Sequence, residues 1–314
     1  MGDKQVKDFI MQFIVLIRDV LIDFTSSIIS LIRIPFFCRY RGLSINRKSL
    51  QTLFILSNGP SLELSIEKYK DKLNNLDLLG LNMFAIDPYY ILLRPKYYVV
   101  VSPDMWEDNS DIRLLEKRKR LWKAINTNTS WSMDLYLPSE AKNNSAWKKY
   151  LTNDLISIRY FNRTPIEGFR FFKNILFRYG LGMPRPHNVL IPSLMIGINM
   201  GYNIIVLLGA DHSWLPELSV NDNNEVLVCQ KHFYDQNTAK PAVMGKRGGT
   251  RKLHEILHKW QLSFQAYFEI NEYAKSQKTK IYNATPNSFI DAFERIDLDY
   301  NSVILSASSR SKSV

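Results

Sequence analysis

Leu53-Phe54-Ile55-Leu56-Ser57-Asn58-Gly59-Pro60-Ser61-Leu62 is the stretch around which the chain is organised. Four apolar residues run straight into a polar corner. The run has the length of a buried strand. Gly59 permits a tight turn, and Pro60 presets φ for the first turn of a helix, with Ser57 or Asn58 near its N-cap. Such a corner aims amide N–H groups and the positive end of a helix dipole at one spot, which favours an anion such as a nucleotide phosphate. An ordinary strand-to-helix turn looks the same, so the rest of the chain has to decide.

Downstream the pattern alternates. Residues 62–73 read as a helix, 77–81 as a strand ending at Asn82, and 97–101 as a strand ending at Ser102. Residues 109–120 read as a charged helix and 121–126 as a weaker strand. Residues 192–201 form a buried helix stopped by Gly201. Residues 203–208 are a core strand running into Gly209-Ala210-Asp211-His212. Residues 250–275 form a long helix with Thr250 as N-cap. Residues 280–284 are the last strand, followed by Thr285-Pro286-Asn287-Ser288 and a short helix. Strands alternating with helices give an α/β fold: a Rossmann-like, mostly parallel sheet with helices on both faces. Ligands of such sheets bind outside the carboxyl ends of the strands. Asn58, Asn82, Ser102, Asp211 and Thr285 all fall there.

The 314 residues suffice for one large domain with an insertion, and 46% apolar and 12% aromatic residues support a real core. Two cysteines, Cys38 and Cys229, make no disulfide framework and fit a reducing compartment. The net charge of +11 suits an anionic partner: a nucleotide, a nucleic acid or a phospholipid surface.

Residues 6–37 are unusually apolar but interrupted by Arg18, Asp19, Asp23 and Arg33. No charge-free run is long enough for a spanning helix. Two helices lying in a bilayer interface fit the pattern, with Arg39, Arg41, Arg47 and Lys48 meeting anionic lipid. Helices packed on the core or on a sister subunit fit it too. Residues 213–249, rich in Asn, Asp, Lys and Gly, read as a lid over the sheet edge. The expected division is therefore 1–48 for the N-terminal helices, 49–212 and 250–305 for the Rossmann-like domain, 213–249 for the lid, and 306–314 for a disordered tail.

Four segments carry a resemblance: residues 56–62, Leu81-Asn82-Met83-Phe84, Met200-Gly201-Tyr202 leading to Leu208-Gly209-Ala210-Asp211, and residues 281–288. In this order and spacing the chain resembles the bacterial lipooligosaccharide sialyltransferase family and the wider group with the motility-accessory-factor glycosyltransferases. The likeness spans residues 53–293. It implies a sialyltransferase-type GT-A variant with a lid, a CMP-activated acidic sugar (sialic acid or Kdo-like) as donor, and neither cofactor nor metal. It implies donor contacts from Asn58, Gly59, Pro60, Ser61, Asn82 and Ser102. It adds the base-and-ribose corner Thr285, Pro286, Asn287 and Ser288, and phosphate contacts from Tyr234 and His232 in the lid. A lid-end histidine serves as general base in the family; here His258 is reached only across a gap. His212 stands where the family has an aromatic residue and is a second candidate, with Asp211 capping the strand end or orienting it.

The chemistry asked of these residues is plain. CMP leaves as an anion whose growing charge needs hydrogen-bond donors, and a histidine takes the acceptor hydroxyl proton. A basic lid, with Lys246 and Arg247, attracts an acidic donor. His254 and His187 read as structural. The expected partners are a CMP-sugar donor, a glycan or lipid-linked acceptor and a membrane surface, with a homo-oligomer possible and no nucleic acid. The expected location is the cytoplasmic face of a bacterial inner membrane.

His254-Glu255-Ile256-Leu257-His258 also matches H-E-x-x-H, the helix motif of zinc proteases with Glu255 as base. Lys252 and Lys259 place charges where such helices are apolar, and no third ligand follows. A scaffold that keeps the fold without activity and a pyrophosphate-transferring enzyme are further alternatives.

Overall fold

A computed structural model describes residues 3–39, 50–107, 112–234, 239–246 and 249–299. Helix α1 (Asp3–Phe37) comes first, then strand β1 (Leu50–Leu56), α2 (Leu62–Leu73), β2 (Asp77–Leu81), α3 (Pro88–Leu93) and β3 (Tyr97–Val99). The chain continues through α4 (Ile112–Asn128), β4 (Met133–Pro138), β5 (Ile156–Phe161), α5 (Arg170–Arg178), α6 (Leu190–Asn199) and β6 (Tyr202–Leu208). The short strands β7 (Leu218–Val220), β8 (Val226–Val228), β9 (Ala242–Val243), β10 (Gly245–Lys246) and β11 (Gly249–Thr250) follow. The long helix α7 (Leu253–Ser276), β12 (Lys280–Asn283) and β13 (Glu294–Arg295) complete the fold.

Eight strands form one sheet in the order β13-β12-β6-β1-β2-β3-β4-β5, and every neighbouring pair is parallel. This is the Rossmann-like α/β architecture that the alternation of elements predicts. Leu53, Phe54, Ile55 and Leu56 are fully buried because β1 is central and covered on both faces. Alternate residues feed two cores. Leu53 and Ile55 join α5, α6 and α7 on one face. Phe54 and Leu56 join α2, α3 and α4 on the other. From β1 the chain winds outward to β5, then returns to lay β6 on β1's free edge. The order reverses between β1 and β6, and in open α/β sheets the ligand crevice opens at such a switch point.

Several local expectations are overturned. Residues 121–126 are not a strand. Leu121, Trp122 and Ile125 are buried at helical spacing within α4, and Trp122 donates its indole N–H to Met105 O at 2.6 Å. The short apolar run imitates a strand because its helical period is visible only together with the charged residues before it. The strands on that side of the sheet are β4, which is buried almost throughout, and the edge strand β5, whose middle residues face solvent and break its apolar signal. Thr250 does not cap α7; it pairs with Gly245 in β11. The cap comes from Glu255, whose carboxylate accepts from Lys252 N at 2.8 Å. No helix follows residues 285–288; the chain turns and enters β13.

The N-terminal segment is one continuous helix of 35 residues rather than a pair. Its last turns dock on the loop before α5. Ser30 Oγ accepts from Glu167 N at 2.8 Å, Ser27 Oγ accepts from Phe169 N at 3.1 Å, and Arg33 pairs with Glu167 at 2.9 Å. Its first two-thirds leave Phe9, Phe13, Leu16, Leu21 and Phe24 exposed. No helix of the described residues is long and apolar enough to cross a membrane. Arg41, Arg47 and Lys48, and the tail 306–314, lie outside the described residues.

The segment 213–249 carries an antiparallel sheet of β7, β8 and β9 and the β10–β11 hairpin. Val226 and Val228 pack on Ile256 and Trp260 of α7. Phe233 N donates to Asn58 O at 3.2 Å, tying the segment's far side to the first corner.

Candidate active site

A cleft of about 880 Å³ opens at the carboxyl edge of the sheet, at the β1/β6 switch point. Asn58, Gly59, Pro60, Asn82 and Ser102 line it from the ends of β1, β2 and β3. Asp211 and His212 line it from the end of β6, and His232 from the 213–249 segment. His254 and His258 line it from α7, and His187 from the loop before α6. Residues dispersed over two hundred positions thus share one cavity because each follows a parallel strand or begins a helix at the same edge.

The two asparagines stitch the corners together. Asn58 Nδ2 donates to Leu81 O at 3.0 Å, bridging the ends of β1 and β2. Val101 N donates to Asn82 Oδ1 at 3.3 Å, bridging β2 and β3. Asn82 sits at φ +42, and its carbonyl accepts from Tyr98 OH at 2.6 Å; asparagine tolerates that left-handed backbone. Asn58 Oδ1 and Ser57 Oγ are buried without a hydrogen-bond partner among the described residues. A buried orphan acceptor is costly unless something donates to it, and both residues line the cleft.

The corner at α2 differs from the open anion cradle that the sequence suggests. Its N–H groups are already used. Gly59 N donates to Gly209 O at 2.9 Å, Leu62 N to Gly59 O at 3.1 Å, and Ser61 N to Asp211 Oδ1 at 3.3 Å. Ser61 Oγ donates to Asp211 Oδ2 at 3.0 Å. The carboxylate of Asp211 therefore occupies the positive end of α2. Burial raises its pKa, opposed by the bonds from Ser61. Gly209, at φ +66, turns β6 so that Asp211 reaches this position.

The Thr285–Ser288 corner stands behind the site, not in it. Thr285 Oγ1 accepts from Ala210 N at 2.9 Å, and Ser288 Oγ donates to Ala210 O at 2.6 Å. Phe289 N donates to Asp211 O at 2.8 Å. Pro286 and Asn287 are exposed, outside the cleft lining. The corner braces the backbone of Ala210 and Asp211. Tyr234 also stands outside the lining, its ring stacked on His232 at 5.1 Å. Lys246 is bound to Glu255, and Arg247 lies outside the described residues.

His212 is enclosed by aromatic rings: Trp214 at 4.2 Å, Tyr267 at 5.5 Å and Phe264 at 6.2 Å. The residue as a whole keeps some exposure, but its imidazole is desolvated, which lowers its pKa to about 3. A chain of hydrogen bonds assigns its tautomer. Asn188 Oδ1 accepts from Leu190 N at 3.0 Å and Ile191 N at 3.3 Å, the first two N–H groups of α6. That fixes the amide, so Nδ2 donates to Tyr267 OH at 2.9 Å. The hydroxyl's own proton then goes to His212 Nε2 at 2.5 Å. His212 Nε2 is an acceptor already in use, and the neutral ring carries its proton on Nδ1. This arrangement suits a hydrogen-bond donor rather than a proton acceptor.

The H-E-x-x-H pattern does not make a zinc site. Glu255 is engaged by Lys246 Nζ at 2.6 and 2.8 Å and by Lys252 N. No group of three metal-ligating side chains converges among the described residues.

Sequence reasoning missed the basic and polar residues of the loop before α6. Arg185, His187 and Asn188 all line the cleft. An asparagine ahead of a buried helix is an N-terminal signal; reading it would have placed this loop at the same sheet edge. Arg251 and Lys259 were legible only as surface charges.

No protein-family model matches the chain, and no curated protein does. Among solved structures it is similar to the MAf glycosyltransferase from Magnetospirillum magneticum AMB-1, with a TM-score of 0.47 and 10% identity. The match covers 86% of this chain and 39% of that one, so this chain spans well under two thirds of that protein's length.

Proposed function

We propose that the protein is a glycosyltransferase that moves an acidic sugar from a CMP-activated donor to a surface glycan or lipid-linked acceptor. The observation that carries this reading is the convergence, in one switch-point cleft, of Asn58, Asn82 and Ser102 from three successive strand ends with histidines 232 and 258. Amide and hydroxyl groups at the ends of parallel strands are suited to a nucleoside. The orphan Asn58 Oδ1 is an acceptor for a donor ligand such as an exocyclic amine. In the reaction the bond between the anomeric carbon and the phosphate oxygen breaks. The acceptor oxygen bonds to that carbon and passes its proton to His258, and CMP departs with the electron pair. His258 is the better base than His212 because it is exposed in the cleft and makes no bond that occupies a ring nitrogen among the described residues.

The exposed apolar part of α1 supports attachment to a membrane surface; a place on the cytoplasmic side, close to a lipid-linked acceptor, is part of the proposal. The direct test is a screen of nucleotide sugars with mass detection of the transferred residue. Transfer from a CMP-sugar, lost in His258→Gln, is the expected result. Transfer from none, with no thermal response to CMP, would leave the scaffold reading standing.

A further inference from the structure

The cleft contains three carboxylates, and each is already engaged. Asp211 is held by Ser61, Glu217 by Lys231 at 2.5 Å, and Glu255 by Lys246. Of the cleft's arginines and lysines, Arg163 pairs with Glu140 at 2.8 Å, Arg185 with Glu167 at 2.6 Å, and Lys231 with Glu217. That leaves Arg251, ahead of α7, and Lys259, within it; neither has an acidic partner among the described residues. They are not far apart. Partial burial, and after it the charge of Arg251, lowers the pKa of Lys259. His187 feels both cations, together with Arg185 and His258, and burial and those charges hold its pKa at about 4. Two like charges half-removed from water, beside a histidine that they keep neutral, destabilise the empty protein. Functional sites tolerate such a cost where a ligand removes it.

We propose that Arg251, Lys259 and His187 form an oxyanion subsite that holds a phosphate group of the substrate. Asp211 fills the α2 corner, where a phosphate would meet a carboxylate, so the phosphate belongs beside α7. The inference deepens the transferase reading and rests on the cleft being its ligand site. The phosphate can come from the nucleotide or from a phosphorylated acceptor.

Calorimetric titration of the full chain with CMP, cytidine and inorganic pyrophosphate separates the two sources. If the nucleotide supplies the phosphate, CMP binds at least about tenfold tighter than cytidine. That margin collapses in Lys259→Met and Arg251→Gln and survives in Lys259→Arg, while cytidine binds all forms alike. If the acceptor supplies it, pyrophosphate binding is lost in the two neutral variants and the CMP-to-cytidine margin is unchanged. Lys259→Met is expected to melt no lower than the parent, since one of two repelling charges is gone. Equal binding of CMP and pyrophosphate by the parent and both neutral variants overturns the subsite. Failure of Lys259→Arg to restore binding, with its melting unchanged, also overturns it. Failure of the transferase reading shows separately, as phosphate binding that persists without sugar transfer from any nucleotide donor.

Discussion

A β-carbon on Gly59 would stand 2.0 Å from Asp211 Oδ2 and 2.5 Å from Gly209 O. The glycine of the first corner is thus required by the aspartate of the last core strand, 152 positions away in the chain. Gly59→Ala is expected to destabilise the protein by about 1–3 kcal/mol through overpacking. Asp211→Ala removes one of the two clashes, so the double variant should lose less than the sum of the singles. Denaturant melts of the four forms check this. Strict additivity would mean that the two residues do not meet.

The acid limb of stability should be steep. His212 is held at about 3 and His187 at about 4, both below the ordinary histidine value near 6.5. Between those values and 6.5 the unfolded chain takes up protons that the folded chain refuses. Stability present above pH 6.5 is therefore lost as pH falls. His212 contributes more than the partly exposed His187. His212→Asn keeps a residue that tolerates its φ of +52, and should flatten the fall between about pH 6.5 and 3. An unchanged pH slope would refute the desolvated imidazole.

Asn58→Ala and Asn82→Ala each remove a stitch between strand ends, at about 1 kcal/mol apiece. Both should lose CMP affinity as well. Melting and calorimetry on the same samples separate the two roles. Stability loss with CMP affinity intact would leave the asparagines as braces only.

His258→Gln should lower transfer by about 10²–10⁴-fold if the side chain takes the acceptor proton. CMP affinity should be unchanged. His212→Gln should cost less, and Tyr267→Phe, which removes the hydroxyl at 2.5 Å from His212 Nε2, should phenocopy it. Transfer that survives in His258→Gln and dies in His212→Gln would reverse the assignment.

Deleting residues 1–25 removes the larger share of the exposed apolar surface of α1, from Phe9 to Phe24, and spares Ser27, Ser30 and Arg33, which dock on the loop before α5. The remainder should keep its melting temperature and stop sedimenting with anionic liposomes. Equal sedimentation by both forms would reject membrane attachment. Loss of a dimer instead would assign the helix to a sister copy.

The alternating strands and helices of the sheet's centre were legible in the chain because β1, β6 and α6 are buried on all sides. Full burial writes unbroken apolar runs into sequence. The outer strands were not legible: β5 because the sheet edge exposes its middle residues, and β4 because Asp134 and Pro138 interrupt a short apolar run. The continuity of α1 was hidden because charges interrupt the run and no caps mark an end. In the site, Asn58, Asn82 and Asp211 announce themselves by following strands. Arg185, Arg251 and Lys259 do not, because a cation in a cleft has the same letter as one on a surface.

The sequence by itself determined the α/β class, the central strands and which corners meet at the sheet's carboxyl edge, because periodicity and turn chemistry are local. Only the tertiary structure decided that Asp211 occupies the positive end of α2, that residues 285–288 brace the site from behind, and that Arg251 and Lys259 lack carboxylate partners among the described residues. Those relations join residues far apart in the chain, and pairing, packing and desolvation are set by distance in space rather than by position in the chain.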